Sequence, residues 1–465
     1  MMGKQYVLGI DFGTTTLSGA IVDVTTRKAV TANVETKADF PLGDEMAREQ
    51  SLERLESCLY EVLDHLLPSD GLAILAIGLT GQMHGVVGLD AAGQAVTNVV
   101  TWQDHRGDSV LADGKTLLED MRTRSPGLHV ANGYGLTTLY RWLAVEKNPR
   151  IVTFCTLPDY FGMRLTGNRT PLIDPSMAHS IGGYDVLGGH WDSDAIARLD
   201  LQDLAFPKVT GAPHLRGNVT DRRILAKSLN KMIGVTVALG DNQASVLATV
   251  RDLRKSLLVN IGTGSQISHA IRRSEIGAFV DVIDGVDTEL RPLVGDMLLM
   301  ATCLTSGGVV YKCVHDFFAA CGKELFGLDT EQLGGDLWAK MEACAAQTAD
   351  SSELHVSPEF DGARSKPAAR GRIDNIGLTN FTPANLIQAT LGGIAEYHRS
   401  FVPSKILERI ENLYGSGNGL KKNAALRQAI ENAFGRELLL SEYDEEAAVG
   451  AAIFAASACP AIEHK

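Results

Sequence analysis

An α/β protein built from two related halves is what this sequence predicts, and three observations carry the prediction. Strand-like and helix-like segments alternate along the chain, which is the pattern of sheets covered by helices. A strand, a Gly/Thr/Ser turn and a second strand occur near the N-terminus, in YVLGIDFGTTTLSGAIVDV, and again from Ser256, in SLLVNIGTGSQISHAI. The length, 465 residues, suits two large domains as well as three at about 150 residues each, and the repeated device decides for two. The halves are expected at residues 1–245 and 246–465, with the boundary near Ser245–Lys255, where the charged run Arg251-Asp252-Leu253-Arg254-Lys255 precedes the repeat.

The elements follow in order. The short apolar run Tyr6–Ile10 reads as a strand, Gly13 and three threonines as a polar turn, and Leu17–Val24 as the returning strand. Leu52, Leu55, Leu59, Leu63 and Leu66 recur at the spacing of one helix face, so this stripe belongs to the core. Ala73–Gly81 reads as a buried strand ending in a glycine loop, and Val235–Asp241 as another. In the second half come the repeated hairpin, the strand-like MLLMATCLTS, and a strand end meeting Gly415, Gly417 and Gly419 before a helical pattern through Phe434.

Composition narrows the function classes. Forty-three Lys and Arg against 56 Asp and Glu give a net charge of −13, which argues against a nucleic-acid binder that grips phosphates with clustered cations. Seven cysteines, never in a Cys-x-x-Cys pair, read as small core residues in a reducing compartment. The N-terminus runs straight into a strand and no apolar stretch reaches membrane-spanning length. A cytoplasmic protein without a membrane partner is therefore expected, and the Asn-x-Ser/Thr matches at Asn168, Asn218 and Asn380 are read as chance.

Five motifs carry chemistry. Neither the lysine-bearing phosphate loop nor the dinucleotide glycine fingerprint is present. The two Gly/Thr turns, however, can aim backbone amides and hydroxyls at phosphate oxygens, and Asp11 at the end of the first strand can hold a cation through water; the competing reading of each turn is an ordinary polar hairpin. The late glycine loop would let an adenine ring lie against backbone, with Gly307-Gly308 as a further wall, or it is a simple strand-to-helix turn. Asp241 follows a buried strand and begins a helix, so it is either an N-cap or a general base toward an attacking hydroxyl. GQMHG and WQDHR set amide, imidazole, indole and carboxylate groups on loops after strands, where open α/β sheets place ligands; His84 and Trp102 taken singly also fit core roles.

Taken in this order, GIDFGTTT, GQMHG, WQDHR, GDNQA, NIGTGS and the late glycine loop resemble the FGGY family of carbohydrate kinases over nearly the whole chain, from Gly9 to about Ala455. The resemblance implies the two-domain actin-like (ribonuclease H-like) sugar kinase fold with a cleft between the halves, and ATP with Mg²⁺ as cofactors. It implies nucleotide contacts at Asp11, Gly13, Thr14 and Thr15, with Asp11 toward the metal, and at Gly262, Thr263, Gly264, Gly307, Gly417, Gly419 and Asn423. Asp241 inherits the role of catalytic base. Gln82, Met83, His84, Trp102, Asp104 and Asn242 inherit sugar contacts, and the Met-His pair, where glycerol kinases carry different residues, favours ketose substrates of the xylulokinase kind.

Within the family, GSGNGLKKN, TPLIDPSMAHSIGGYDV and DEEAAVGAAIFA are most similar to the sedoheptulokinase branch, which implies transfer to the terminal hydroxyl of sedoheptulose, giving sedoheptulose 7-phosphate. The alternatives are a xylulokinase or another pentulose or hexulose kinase and, from a different class, an actin-like ATPase that binds a protein partner. The implied partners are the ketose and ATP, and the sequence permits a homodimer.

Overall fold

Residues Tyr6–Phe12 (β1) and Thr16–Asp23 (β2) form an antiparallel hairpin whose apolar side chains face both ways, so both faces of their sheet need cover. In the computed structural model, which describes residues 4–211, 213–262, 264–280, 287–328, 336–346, 353–363 and 366–459, that cover comes from opposite ends of the sequence. Helix α1 (Leu52–Leu66) takes one face: Ser51 caps it through Arg54 N, and Leu55, Leu59, Val62 and Leu63 join a core with Leu8, Ile10, Leu17 and Ile21. The C-terminal helix, Glu446–Ser457, takes the other, where Ala448 and Ala452 pack with Val7, Ala20, Val22 and Ala76.

The first sheet is completed by β3 (Ala29–Glu35), β4 (Ile74–Gly81), β5 (Leu215–Asn218) and β6 (Gly234–Thr236) in the order β5-β6-β4-β1-β2-β3, while β7 (Leu239–Gly240) also pairs with β4. Strands β1, β2 and β3 are an antiparallel meander; β4 and β6 run parallel to β1. Three helices beside this sheet matter below: α2 (Leu157–Thr166), α3 (Pro175–Ile181) and α4 (Asp241–Thr249).

The second sheet repeats the scheme. Strands β8 (Ser256–Ile261), β9 (Ser265–Arg272), β10 (Thr288–Pro292), β11 (Met297–Leu304), β12 (Asn412–Ser416) and β13 (Leu438–Leu440) stand in the order β10-β11-β9-β8-β12-β13. Here too the hairpin partners are antiparallel, and the two strands beyond the first are parallel to it. Helices α5 (Gly308–Phe326), α6 (Pro383–Ser400), α7 (Asn418–Lys422) and α8 (Ala424–Phe434) belong to this half.

Two compact units result: Met1–Ala248 with Pro292–Asp296 and Tyr443–Lys465, and Thr249–Arg291 with Met297–Glu442. The compact units divide the chain differently from the contiguous spans 1–245 and 246–465 expected from the sequence, because the last residues pack with the first unit. The physical reason is the alanine and glycine content of the C-terminal helix. A Cβ placed on Gly9 would lie 1.8 Å from Ala448 O, and one on Gly78 1.8 Å from Ala451 O, so helix and sheet touch backbone to backbone.

Two further expectations change. Val235–Asp241 is not one strand but two short ones, β6 and β7, interrupted where the Ala238 amide turns to the buried Asp159 carboxylate at 3.0 Å. Cys58, Cys155 and Cys459 are buried as expected, but Cys313 is exposed on α5; all seven cysteines are free thiols. Among the described residues no helix is long and apolar enough to cross a membrane.

Candidate functional site

In the first unit the loops after β1, β4 and β7 carry most of the residues singled out from the sequence. Asp11 is the penultimate residue of β1, paired in register with Ser18 on β2 and Thr80 on β4. Its Oδ1 is buried and has no hydrogen-bond partner among the described residues. Burial, followed by the nearby Asp241 and Glu445 carboxylates, pushes the Asp11 carboxyl up to about 8. A buried acceptor left open beside two other anions is costly alone and is suited to a cation. No group of three or more His, Cys, Asp or Glu side chains converges to hold a metal among the described residues. Mg²⁺ does not require one, because it keeps several waters and commonly takes one or two carboxylates together with substrate phosphates.

The turn Gly13-Thr14-Thr15 is tied to residues of the GQMHG and WQDHR loops. The Thr14 carbonyl accepts from Gln50 Nε2 and from Thr36 Oγ1, each at 2.7 Å. The Thr14 hydroxyl accepts from Trp102 Nε1 at 2.9 Å and reaches Gln82 Oε1 at 3.5 Å. Gln82, itself buried, donates to Gln50 Oε1 at 2.9 Å. Trp102 is thus held by its nitrogen while the residue stays 48 % exposed, an arrangement that can offer an apolar face to a ligand.

His84 stands at φ 73°, a conformation unusual outside glycine. It is pinned there by Ser180 at the end of α3, whose hydroxyl accepts the His84 amide at 3.1 Å and whose carbonyl lies 2.7 Å from Nδ1. A carbonyl can only accept, so the ring proton sits on Nδ1. The imidazole stacks on Tyr134 at 4.5 Å between centroids.

Met83 is buried instead, against Gly240: a Cβ there would lie 3.1 Å from its sulfur. Asp104 is also buried, with one oxygen accepting Arg106 N at 3.1 Å and the other Arg48 N at 2.9 Å and Arg106 Nε at 2.8 Å. Its hydrogen-bonding capacity goes to fixing the loop and Arg106, which also pairs with Glu49 at 2.8 Å. Asp241 opens α4 with its Oδ1 2.6 Å from Asn242 N, and Asn242 follows it on the first turn.

In the second unit the structure brings the later glycines together. Gly262 N donates to Gly264 O at 2.9 Å, closing the turn between β8 and β9, and Gly308 N at the head of α5 donates to Gly262 O at 2.8 Å, with Gly307 as the preceding cap. Gly417 has φ 86°, and a Cβ on it would lie 2.5 Å from Ile261 O; one on Gly419 would lie 2.8 Å from the same carbonyl. The late loop therefore abuts the residue that precedes Gly262, and only glycine fits at Gly417. Asn423 caps α8 through Leu426 N at 2.9 Å. Thr263 lies outside the described residues.

Sequence reasoning did not single out Gln50, Tyr134, Glu445, or the buried Asp174 and Ser176. Asp-Pro-Ser at 174–176 carries a readable helix-start signal, a capping carboxylate followed by proline in the first turn. That its hydroxyl meets an amide 64 positions later has no local signature.

Comparison with known proteins matches residues 6–248 to the N-terminal domain of the FGGY family of carbohydrate kinases and residues 258–459 to its C-terminal domain. The chain is similar to the sedoheptulokinases of Mus musculus and Homo sapiens, at 26 % and 25 % identity, each covering 97 % of this chain and 98 % of the relative. In fold it is similar to the crystal structure of xylulose kinase from Rhodospirillum rubrum, with TM-score 0.78 and 21 % identity over 97 % of this chain and 89 % of that one.

Proposed function

This chain belongs to the FGGY family of carbohydrate kinases and is an ATP-dependent sugar kinase, and from that premise we propose that it phosphorylates the terminal primary hydroxyl of a ketose, sedoheptulose, with Asp241 as general base. The observation that carries the substrate is the near full-length likeness to two sedoheptulokinases. In this reading the hydroxyl oxygen bonds to the γ-phosphorus, the bond from phosphorus to the β-phosphate bridging oxygen breaks, and ADP leaves. Asp241 accepts the hydroxyl proton and aligns the nucleophile, since positioning dominates phosphoryl transfer.

Trp102 presents its ring face to the sugar, and Gln82, His84 and Asn242 supply polar contacts, while buried Met83 packs at Gly240 and buried Asp104 holds its loop to Arg48 and Arg106. The Gly13-Thr14-Thr15 turn and the turn from Gly262 through Thr263 to Gly264 take phosphates through amides and hydroxyls, while Gly307, Gly417, Gly419 and Asn423 frame the adenosine. The open Oδ1 of Asp11 fits Mg²⁺, which when bound neutralises charge on the transferring phosphates. A cytoplasmic location, with the ketose and ATP as partners, accompanies this reading.

ADP release measured over sedoheptulose, xylulose, ribulose, fructose and glycerol tests it. The highest kcat/KM is expected for sedoheptulose; a preference for xylulose would replace the substrate, and ADP release indifferent to every sugar would remove the kinase reading. Asp241→Asn should keep ATP affinity by calorimetry and lose about 10²- to 10⁴-fold in kcat. Wild-type turnover in that variant excludes Asp241 as the base.

A further inference from the structure

The segment Val237–Gly240 delivers the chain to Asp241, and its backbone amides are not satisfied as a strand's usually are. Val237 N donates to His214 O at 2.9 Å. The next amide, Ala238 N, goes to Asp159 Oδ1 at 3.0 Å, and Gly240 N goes to Ser176 Oγ at 3.0 Å. Side chains from α2 and α3 thus replace a neighbouring strand on this side of β7, whose ladder partner is β4. All three are essentially sealed from solvent: Asp159 and Ser176 are 0 % exposed and Asp174 is 1 %.

The two contacts differ in kind. Asp159 is neutralised by Arg216 at 3.1 Å and also accepts Thr156 Oγ1 at 2.9 Å, which makes it a core anchor. Ser176 instead donates its hydroxyl proton to Asp174 Oδ1 at 2.6 Å, and the same oxygen accepts Ser176 N at 2.9 Å as the cap of α3. With the proton committed to the carboxylate, the hydroxyl's lone pairs point at Gly240 N–H. Gly240 sits in a close-packed place, where a Cβ would lie 2.4 Å from Gln243 Oε1 and 3.1 Å from the Met83 sulfur, so a side chain there would disturb the same peptide.

We propose that Asp174 and Ser176 are positioning residues for the transfer reaction: the relay from the Asp174 carboxylate through the Ser176 hydroxyl to the Gly240 amide fixes the peptide preceding Asp241 and so aims its carboxylate. This rests on the reading of Asp241 as general base. A buried amide that loses its acceptor must find another by moving, and Gly240 is the residue whose movement carries Asp241 with it. A displacement of about 1 Å at a reacting group costs on the order of 10²-fold in rate.

The test is a mutant cycle at matched thermal stability. Ser176→Ala should lower kcat about 10- to 100-fold while the KM values for sugar and ATP stay within about twofold. Ser176→Thr, which keeps the hydroxyl, should recover most of the loss. Asp174→Asn, which keeps an acceptor oxygen for the Ser176 hydroxyl, should fall between wild type and Ser176→Ala.

The deciding measurement is Ser176→Ala combined with Asp241→Asn. If Ser176 acts through Asp241, the double variant turns over no more slowly than Asp241→Asn alone. Additive losses, or a Ser176→Ala defect confined to KM, overturn the relay while leaving Asp241 as base. Wild-type turnover in Asp241→Asn overturns the reading beneath it instead, so the two failures are separable.

Discussion

At Asp11 burial and neighbouring carboxylates both act against ionisation. Its carboxyl is raised from 3.8 to about 8 by burial and by the Asp241 and Glu445 carboxylates. A carboxyl whose folded value lies above its unfolded value binds its proton more tightly in the folded state. The stability it contributes is therefore complete below about pH 4 and is lost as pH rises through 8. In the presence of a chelator, wild type should lose stability between pH 5 and pH 8 relative to Asp11→Asn, by up to a few kcal/mol, read from denaturant midpoints at the two pH values. Adding Mg²⁺ at pH 8 should restore wild type and leave Asp11→Asn unchanged; parallel pH curves and equal Mg²⁺ responses would refute the cation role. Asp11, His84 and Asp241 were legible in the sequence because their groups sit near strand ends close to glycines, and Trp102 because an indole follows closely on a short apolar strand. Their use was less legible. Asp104 spends its oxygens on Arg48 and Arg106, and Ser176 acts on a distant amide, because long-range hydrogen bonds depend on tertiary packing that a local pattern does not encode.

At the scale of elements, the repeated hairpin was the most readable feature: period-two strands around a Gly/Thr turn appear as β1-β2 and β8-β9 with residues close to those expected. Helix α1 was equally plain, since one apolar stripe and a serine cap define it. What the pattern could not convey is distance of approach. The C-terminal helix is apolar nearly all round, so its periodicity gives no face, and its alanines carry no sign of which side packs closely. Their consequence is the contact at Gly9 and Gly78, where a methyl group would strike helix carbonyls. Gly78→Ala must push the helix backbone away, and about 2–3 kcal/mol or more of stability should be lost. Gly392→Ala is the contrast, since Gly392 lies within α6 and a Cβ there meets nothing within 4 Å. That substitution should be neutral or stabilise by up to about 1 kcal/mol through helix propensity. Chemical denaturation of both variants measures the pair, and equal effects would mean that the close contact with the sheet does not limit stability.

For the molecule as a whole, the decisive fact is that the first unit is assembled from both ends of the chain. Residues Met1–Ala248 provide the sheet, but Tyr443–Lys465 provide the helix on one of its faces. That face carries Val7, Ala20, Val22 and Ala76, which would meet water if the helix were missing, at roughly 25 cal/mol per Å² of apolar surface. A marginal domain cannot absorb the loss of a whole covering layer. A fragment of residues 1–248 should therefore aggregate or remain molten, with far-UV signal but no dispersed NMR spectrum. The same fragment joined through a flexible linker to residues 443–459 should regain cooperative unfolding. Residues 249–442 lack such a debt, because the strands of their sheet from β8 through β9 to β11, with β12 and β13, come from within that span. They should fold without the rest. If residues 1–248 alone unfold as cooperatively as the joined fragment, the C-terminal helix is dispensable cover and the first unit is complete before its last segment arrives. If they do not, the first unit can close only after the second has been synthesised, and a truncation near Glu442 should damage the first unit, which holds Asp11 and Asp241, more than the second, which holds Gly262 and Gly417.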